Sequence, residues 1–496
     1  MIETAGIGML VAVALLLIVT GLPAWLVLIG VALLFAAGGM VAGAFALPLL
    51  TAMPARLLGL LEQDILQALP LYVLMGALLN HLPLAQILFR TGSRALAATG
   101  AGPSLAGLGL GVLLAPMNGS VGASVAMLSR TVQPRLDASG MSPERGAALV
   151  CVASTMGVVI PPSLVLILLG DAMMRAHTEA TNLTHESVRI INTQDVFVGA
   201  LVPAAILLTL CAVVTWWTNR SRQVGATAGL PTVPSTMREW LTAGVTTLFI
   251  GSLLAGVTLG YLYAVEAAAF GAVALFGFGL ATRTLTMAVL ADVLRDTMAV
   301  TGALFALLVA ATMFTLVVRA FGTDRWVAAA LVRLGAGEWG SLLVVLAIVA
   351  ACALVLDAFE MIFVVIPVAI PPLLTLVHDA TWVAVLTLLI LQASFLTPPF
   401  GYAVLMVRNA IRRKLSLSGL ARALLPYLMA QLLVLVLVLA WPSLIWQRNP
   451  TALIGDNSPD NPAGAMSDED ARRMTERQFP PLSDEESGKD SKDGKE

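Results

Sequence analysis

The chain has 496 residues, of which 58% are hydrophobic and only 12% are charged. Soluble domains carry about 25% charged residues, so a water-soluble globular protein and a disordered chain are both excluded. Basic and acidic residues nearly balance, with 28 Lys and Arg against 30 Asp and Glu, which excludes a nucleic-acid-binding protein. The three cysteines lie in apolar runs without CxxC or Cys/His spacing, so neither a disulfide framework nor a zinc site is indicated. The composition predicts a polytopic membrane protein.

Long apolar stretches predict where the chain crosses the membrane, because a crossing needs roughly 20 apolar residues. No basic segment precedes residues 4–20, so they are expected to be a retained membrane helix rather than a signal peptide. The sequence predicts about ten transmembrane helices, at 4–20, 23–42, 66–82, 146–172, 195–219, 240–260, 263–282, 298–319, 380–408 and 423–446.

Two further apolar stretches predict re-entrant hairpins. Residues 103–129 are broken at Pro116-Met-Asn-Gly-Ser120, and residues 341–376 are broken at Leu356-Asp-Ala-Phe-Glu360. Each half of these stretches is too short to cross the membrane alone. Irregular backbone at membrane depth is tolerated only where it lines a cavity or is packed in protein. The polar tips are therefore expected near the middle of the membrane.

The arginines predict the orientation of the chain. With the N-terminus outside, the inside loops hold fifteen basic residues, the outside loops six and the tail seven, as the positive-inside rule favours. The tail, residues 448–496, has a net charge of −5 and is expected to be disordered and periplasmic. Two outside segments stand out: 319–333 carries three arginines against the rule, and 174–195 is expected to be a polar surface loop.

The two halves of the chain, 1–219 and 220–447, predict inverted repeats followed by the tail. Each half contains an in-plane arm, at 50–63 and 284–297, then a hairpin, then a crossing interrupted by a Pro-Pro pair. Matched helix breaks in inverted repeats mark the binding site of secondary transporters. Prolines remove backbone N–H donors and free carbonyls, which can coordinate Na⁺ together with nearby hydroxyls. The alternative interpretation is that the Pro-Pro pairs are kinks that serve packing.

Six motifs, taken together and in order, resemble the DctM-type large permease subunit of tripartite ATP-independent periplasmic (TRAP) transporters over nearly all of residues 1–447. The form of the last motif is similar to the branch labelled mannitol/chloroaromatic, whose members are associated with 2-oxo acids. The motifs are Leu71-Tyr-Val-Leu-Met-Gly76, Asn118-Gly-Ser-Val-Gly-Ala-Ser-Val-Ala126, Ala153-Ser-Thr-Met-Gly-Val-Val-Ile-Pro-Pro-Ser163, Val265-Glu-Ala-Ala-Ala-Phe-Gly271, Asp357-Ala-Phe-Glu360 and Gln392-Ala-Ser-Phe-Leu-Thr-Pro-Pro-Phe-Gly401.

The resemblance implies an all-α elevator-type transporter in the bacterial inner membrane. It implies Na⁺-coupled uptake of a small carboxylate, a small four-helix membrane subunit, and a periplasmic substrate-binding protein as partners. No cofactor is expected beyond Na⁺ as the coupling ion. A self-sufficient ion-coupled carboxylate transporter of a related elevator fold stays open as the alternative. A membrane enzyme is disfavoured, because the apolar body shows neither a nucleophile–base pair nor a metal cluster.

Carried onto this sequence, the family's two Na⁺ sites lie at the hairpins and broken helices. The candidate ligands of the first are Ser120, Gly157 and Pro161, and those of the second are Asp357, Thr397, Pro398 and Gly401. No Lys or Arg lies in the middle of a predicted crossing, so the substrate carboxylate is expected to meet helix N-termini and hydroxyls. The candidate substrate contacts are Asn118, Ser120, Ser163 and Thr397.

Overall fold

The computed structural model describes residues 4–44, 51–62, 64–184, 191–220, 236–335, 337–398, 401–411 and 415–445. Within these ranges the chain is helical and forms no strand, which confirms the predicted all-α class. The predicted tail at 448–496 lies outside the described residues. The helices are α1 (Ala5–Thr20), α2 (Ala24–Val41), α3 (Met53–Leu61), α4 (Asp64–His81), α5 (Leu84–Ala95), α6 (Gly102–Leu114), α7 (Val121–Thr131), α8 (Gln133–Ala138), α9 (Pro143–Val159), α10 (Leu164–Thr184), α11 (Thr193–Asn219), α12 (Met237–Thr258), α13 (Ala264–Ala281), α14 (Met287–Ala320), α15 (Thr323–Leu334), α16 (Gly337–Ala353), α17 (Ala358–Leu374), α18 (Ala380–Leu396), α19 (Tyr402–Ala410) and α20 (Leu417–Ala440).

Length and composition identify the membrane-crossing helices. Among the described residues, six helices have at least 18 residues and are apolar enough to cross, namely α2, α11, α12, α13, α14 and α20. The pair α9–α10 adds a bent crossing with an angle of 41° at its break, and α3 meets α4 at 54°. At the first predicted crossing, α1 has 16 residues. Large apolar side chains such as Leu34 and Leu248 are more than 70% exposed, as expected of surfaces that face lipid.

Both predicted hairpins are helix–turn–helix elements with a short irregular tip. In the first, a 3₁₀ turn at Ala115–Asn118 separates α6 from α7. In the second, residues 354–357 separate α16 from α17. The first turns of α17 include a π-helical segment, Met361–Val365, a feature that is often found at functional sites.

The predicted boundary between the second arm and the following crossing is wrong. Residues 284–297 and 298–319 do not separate, because α14 runs without interruption for 34 residues from its N-cap at Thr286. No proline lies between Met287 and Ala320 to end the helix. At 1.5 Å per residue α14 is about 51 Å long, longer than the roughly 30 Å core of a bilayer. The first arm, by contrast, is the separate helix α3, which has no buried residue.

Two segments that we expected to be loops are helical. Residues 174–184 continue α10, because one face of this polar stretch is held in the core by His177 (6% exposed) and Ala180 (2% exposed); residues 185–190 lie outside the described residues. Residues 323–334 form α15, whose Thr323 and Leu331 are buried. The three arginines that were exceptions to the orientation rule therefore lie on or beside a short helix rather than in an open loop.

The helices pack in two groups. In one, α13 lies against α4, and α14 lies against both α2 and α4. In the other, α9 packs against both arms of the first hairpin and against α18, α19 and α20, while α10 packs against α17 of the second hairpin. The groups meet where α4 touches the first hairpin tip and α14 touches the π-helical segment of α17.

Candidate transport site

The first hairpin tip presents polar groups inside the protein. Gly119 has a positive φ of 71°, a conformation that favours glycine. Ser120 then caps α7, with its Oγ accepting a hydrogen bond from the Ala123 N–H at 3.1 Å. Asn118 is 4% exposed, and its Nδ2 donates to Ser124 Oγ at 3.2 Å. Its Oδ1 is buried and has no hydrogen-bond partner among the described residues, which leaves an acceptor available to a ligand.

The first helix break contains the Pro-Pro pair. Helix α9 ends at Val159, and Pro161 and Pro162 lie buried in the interruption. Ser163 starts α10, because its Oγ accepts from the Leu166 N–H at 3.0 Å and donates to the Val158 carbonyl at 3.1 Å. The break thus exchanges helical hydrogen bonds for side-chain ones, as proline requires.

The hairpin tip and the break enclose a small cavity of about 10 Å³, close to the volume that holds one water molecule. Its lining includes the residues Ser120, Ser154, Gly157 and Ser163. A Cβ atom added to Gly157 would collide with the backbone of Ala115, so only glycine lets α9 approach the tip this closely. The structure brings Ser120, Gly157 and Ser163 together, with Asn118 in the same tip and Pro161 in the adjoining break.

The second hairpin tip is also capped by side chains, here by acidic ones. Asp357 Oδ1 accepts from the Ala358 N–H at 2.7 Å, and Glu360 Oε2 accepts from the Asp357 N–H at 3.1 Å. This is a capping box at the start of α17. Both carboxylates therefore stand at the start of a half-helix inside the protein, where intramembrane acids usually have a functional role.

The second helix break follows α18, which ends at Leu396. Thr397 Oγ1 donates to the Ala393 carbonyl at 2.9 Å, and the Gly401 N–H donates to the Thr397 carbonyl at 2.8 Å. Pro398 follows Thr397 in this interruption, while Pro399 and Phe400 lie outside the described residues. Helix α19 resumes at Tyr402 and packs against α7 of the first hairpin.

Tyr402 is a candidate site residue that the sequence analysis missed. Its hydroxyl oxygen lies 3.3 Å from the position that a Cβ atom on Gly122 would occupy. This phenolic oxygen of the second half therefore lies at the first turn of α7, beside the first hairpin tip. Its position directly after the second break, in Gly401-Tyr402, was the available signal.

A buried hydrogen bond joins the two interrupted helices. Gln392 Nε2 on α18 donates to Thr155 Oγ1 on α9 at 3.1 Å, and both residues are 0% exposed. Each residue stands six positions before the first proline of its own break, Pro161 and Pro398. Gln392 Oε1 has no partner among the described residues. This bond joins α9 to α18 inside the protein, six positions before the first proline of each break.

Comparisons with known proteins agree with this architecture. Residues 10–444 match the family model described as the tripartite ATP-independent periplasmic transporter, DctM component. The chain is 27% identical to the C4-dicarboxylate TRAP transporter large permease protein DctM of Pseudomonas aeruginosa, over 77% of this chain and 85% of that protein. It is 23% identical to the sialic acid TRAP transporter permease protein SiaT of Haemophilus influenzae, over 77% of this chain and 59% of that protein.

A solved structure of another protein has a similar fold. A crystal structure of the Alcanivorax borkumensis YdaH transporter covers 80% of this chain and 89% of its own, with a TM-score of 0.54 and 17% identity. Together with the family match, the interrupted helices and hairpins define a multi-pass membrane transporter subunit and not an enzyme. The family match goes further: the chain belongs to the DctM family of large permease subunits of TRAP transporters, which confirms the resemblance seen in its motifs, and its place is the inner membrane.

Proposed function

We propose that this chain is the large membrane subunit of a system for Na⁺-coupled uptake of a small carboxylate, which a periplasmic binding protein delivers and a small four-helix subunit assists. The observation that carries the proposal is the cavity between the first hairpin tip and the first break. Ser120, Ser154, Ser163 and Gly157 line it, and it is the size of a single water-like particle. None of the described residues that line this cavity is charged, and serine hydroxyls and backbone carbonyls are groups that can hold a monovalent cation weakly.

The second ion is expected at the acidic tip, with Asp357, Thr397, Pro398 and Gly401 as its candidate surroundings. The carboxylate substrate is expected between the two tips, near Asn118, Ser120, Ser163 and Thr397. We add Tyr402, because its helix follows the second break and its hydroxyl lies next to the first hairpin. Cations beside the half-helix ends would offset Asp357 and Glu360 and so favour an anionic substrate nearby.

The group containing the hairpins and broken helices is proposed to slide past the group of α2, α4, α13 and α14, as an elevator mechanism requires. Gly76 of α4 supports this division. A Cβ there would stand 2.7 Å from the Met117 carbonyl oxygen and 2.8 Å from Asn118 Cα. The two groups therefore touch through bare backbone at the first hairpin tip, where a bulky side chain would obstruct movement.

Reconstituted vesicles test the proposal. The chain, its small subunit and its binding protein are combined, and uptake of labelled succinate, 2-oxobutyrate and sialic acid is measured under an inward Na⁺ gradient. We expect uptake of one of them that needs all three proteins and stops when choline replaces Na⁺. Undiminished uptake under a proton gradient without Na⁺ would refute Na⁺ coupling. Uptake by the chain alone would establish the self-sufficient transporter instead.

The proposed orientation places the tail, residues 448–496, in the periplasm. A single cysteine introduced in the tail of a chain whose Cys151, Cys211 and Cys352 are replaced can be labelled with an impermeant maleimide. Labelling is expected in intact spheroplasts. Labelling only after the membrane is opened would reverse the topology.

A further inference from the structure

A large crevice lies beside α17 of the second hairpin and is separate from the small cavity at the first hairpin tip. Its volume is about 840 Å³, within the range of small-molecule sites. It opens between α3, α10, α14 and α17, so both packing groups contribute to its walls. At its inner end lie Ile362 and Phe363 of the π-helical segment, two residues after the capping box of the second tip.

The crevice has an excess of positive charge. Its lining includes three arginines, Arg56, Arg175 and Arg319, and two carboxylates, Asp171 and Glu179. Arg175 Nε is 2.9 Å from Asp171 Oδ2 on the same helix face. Three of the six arginines predicted for the outside of the membrane therefore converge on one opening. A net positive cleft concentrates small anions.

Arg319 is the residue where three elements of the crevice meet. It lies near the end of α14, and its Nη2 donates to Glu179 Oε2 of α10 at 2.7 Å and to the Pro367 carbonyl of α17 at 3.5 Å. The side chains of Arg319 and Glu179 are 33% and 26% exposed, so solvent reaches the pair. A carboxylate that enters the crevice would meet a guanidinium that holds Glu179 through one hydrogen bond of 2.7 Å and has further N–H donors.

We propose that this crevice is a second, outer binding site for the substrate's carboxylate, where Arg319 receives the anion in competition with Glu179. The inference rests on the proposed function, since it names an entry site for the same substrate. Before the anion arrives, the Glu179 carboxylate orients the Arg319 guanidinium through their hydrogen bond. The incoming anion replaces Glu179, and the substrate is then held beside Pro367 of α17, about three turns along the helix from the second hairpin tip at Asp357.

Paired neutral variants test the proposal with the labelled carboxylate that the wild-type vesicles accumulate among succinate, 2-oxobutyrate and sialic acid. For Arg319→Gln we expect the KM for the carboxylate to rise about tenfold or more, as loss of a charge-assisted hydrogen bond implies. For Glu179→Gln we expect a KM equal to or below that of the wild type, because the internal competitor is gone. The double variant should behave as Arg319→Gln does. Arg325→Gln is the matched control, since Arg325 lies at α15 and lines a different groove.

A purely structural ion pair gives a different pattern. Both single variants would then lose uptake equally, and the double variant would be no worse than either; that pattern would overturn the proposal, as would wild-type kinetics in all variants. If Arg319→Gln fails to insert, Arg319→Lys, which keeps the charge without the fork, should still raise the KM while Glu179→Gln does not. Wild-type vesicles that accumulate none of the three acids would refute the proposed function, and the entry site with it.

Discussion

The two hairpin tips begin their second helices in the same way but carry different charge. At the first tip the neutral Ser120 caps α7, and at the second the carboxylate of Asp357 caps α17 with Glu360 completing the box. The backbone problem is identical, because both tips must satisfy the free N–H groups at the start of a half-helix. The start of such a half-helix can therefore be capped by a neutral hydroxyl or by a carboxylate. The two proposed ion sites are thus electrostatically unequal.

The two interrupted helices show a similar contrast. Helices α9 and α18 both have 17 residues and end two positions before the first proline of their breaks. After the break the symmetry is lost, since α10 runs for 21 residues and α19 for 9. The helix before the break therefore has the same length in both halves, whereas the helix after the break differs in length. In the first half the extra length of α10 carries Arg175 and Glu179 into the crevice, where Asp171 of the preceding turn also lies.

The largest effect is expected where the first tip meets its break. Gly157→Ala should reduce uptake by at least tenfold, because the added Cβ collides with the backbone of Ala115 and overpacking typically costs about 1–3 kcal/mol. Uptake in vesicles, normalised to inserted protein, measures the loss. Gly109→Ala on α6 is the control, since its Cβ would meet nothing within 4 Å. If the two variants transport alike, the small cavity is not part of the site.

Changing the caps tests whether the two tips are unequal. We expect Ser120→Ala and Asp357→Asn both to raise the Na⁺ concentration that gives half-maximal uptake, with the larger shift for Asp357→Asn. Asparagine still caps a helix well, so this variant removes the charge and keeps the acceptor. A Na⁺ titration of uptake gives the comparison.

Ser416→Ala is the control for loss of a cap. Ser416 Oγ accepts from the Gly419 N–H at 3.1 Å at the start of α20, away from both tips. Its loss should lower stability by about 1 kcal/mol, as at other N-caps, and leave the Na⁺ dependence unchanged. A shift as large as that of Ser120→Ala would mean that the tips respond only as helix caps.

Replacing Thr155 and replacing Gln392, the two partners of the hydrogen bond between α9 and α18, should lower stability by different amounts. Thr155→Val leaves the buried amide of Gln392 without its one described partner, and an unsatisfied buried group costs about 1–3 kcal/mol. Gln392→Leu removes the amide altogether, while Thr155 keeps its bond to the Val152 carbonyl at 3.0 Å. Thermal unfolding in detergent should therefore show the larger loss for Thr155→Val. The opposite order would show that the Gln392 amide has other partners that matter more.

Local sequence signals predicted most of the fold, since prolines and polar tips end helices wherever they stand. They placed the breaks before Pro161 and Pro398 and the hairpin tips at Ser120 and Asp357. They failed where tertiary packing decides. Helix α15 is short and charged, so a search for apolar crossings overlooks it, and it is helical because Leu331 and Thr323 are buried against the rest of the protein.

The residues of the candidate site likewise include some that local sequence predicts and some that depend on tertiary packing. Hydroxyls next to a break, such as Ser163, can be picked from the chain because their role as caps is local. Tyr402 and the pair of Thr155 and Gln392 could not, because their neighbours lie on other elements. Thr155 and Gln392 are 237 positions apart. Only the folded packing of α9 against α18 brings them into contact.

The smallest effect is expected at Tyr402, beside the first hairpin tip. Tyr402→Phe keeps the ring against Phe395, 6.3 Å away between centroids, and removes only the hydroxyl. Loss of one hydrogen bond to a bound carboxylate would raise its KM by about two- to tenfold, without changing stability or the Na⁺ dependence. Tyr261→Phe is the control, because Tyr261 is 82% exposed. If Tyr402→Phe instead changes the Na⁺ dependence as Asp357→Asn does, the hydroxyl serves the acidic tip, and the substrate contacts must be sought at the first hairpin alone.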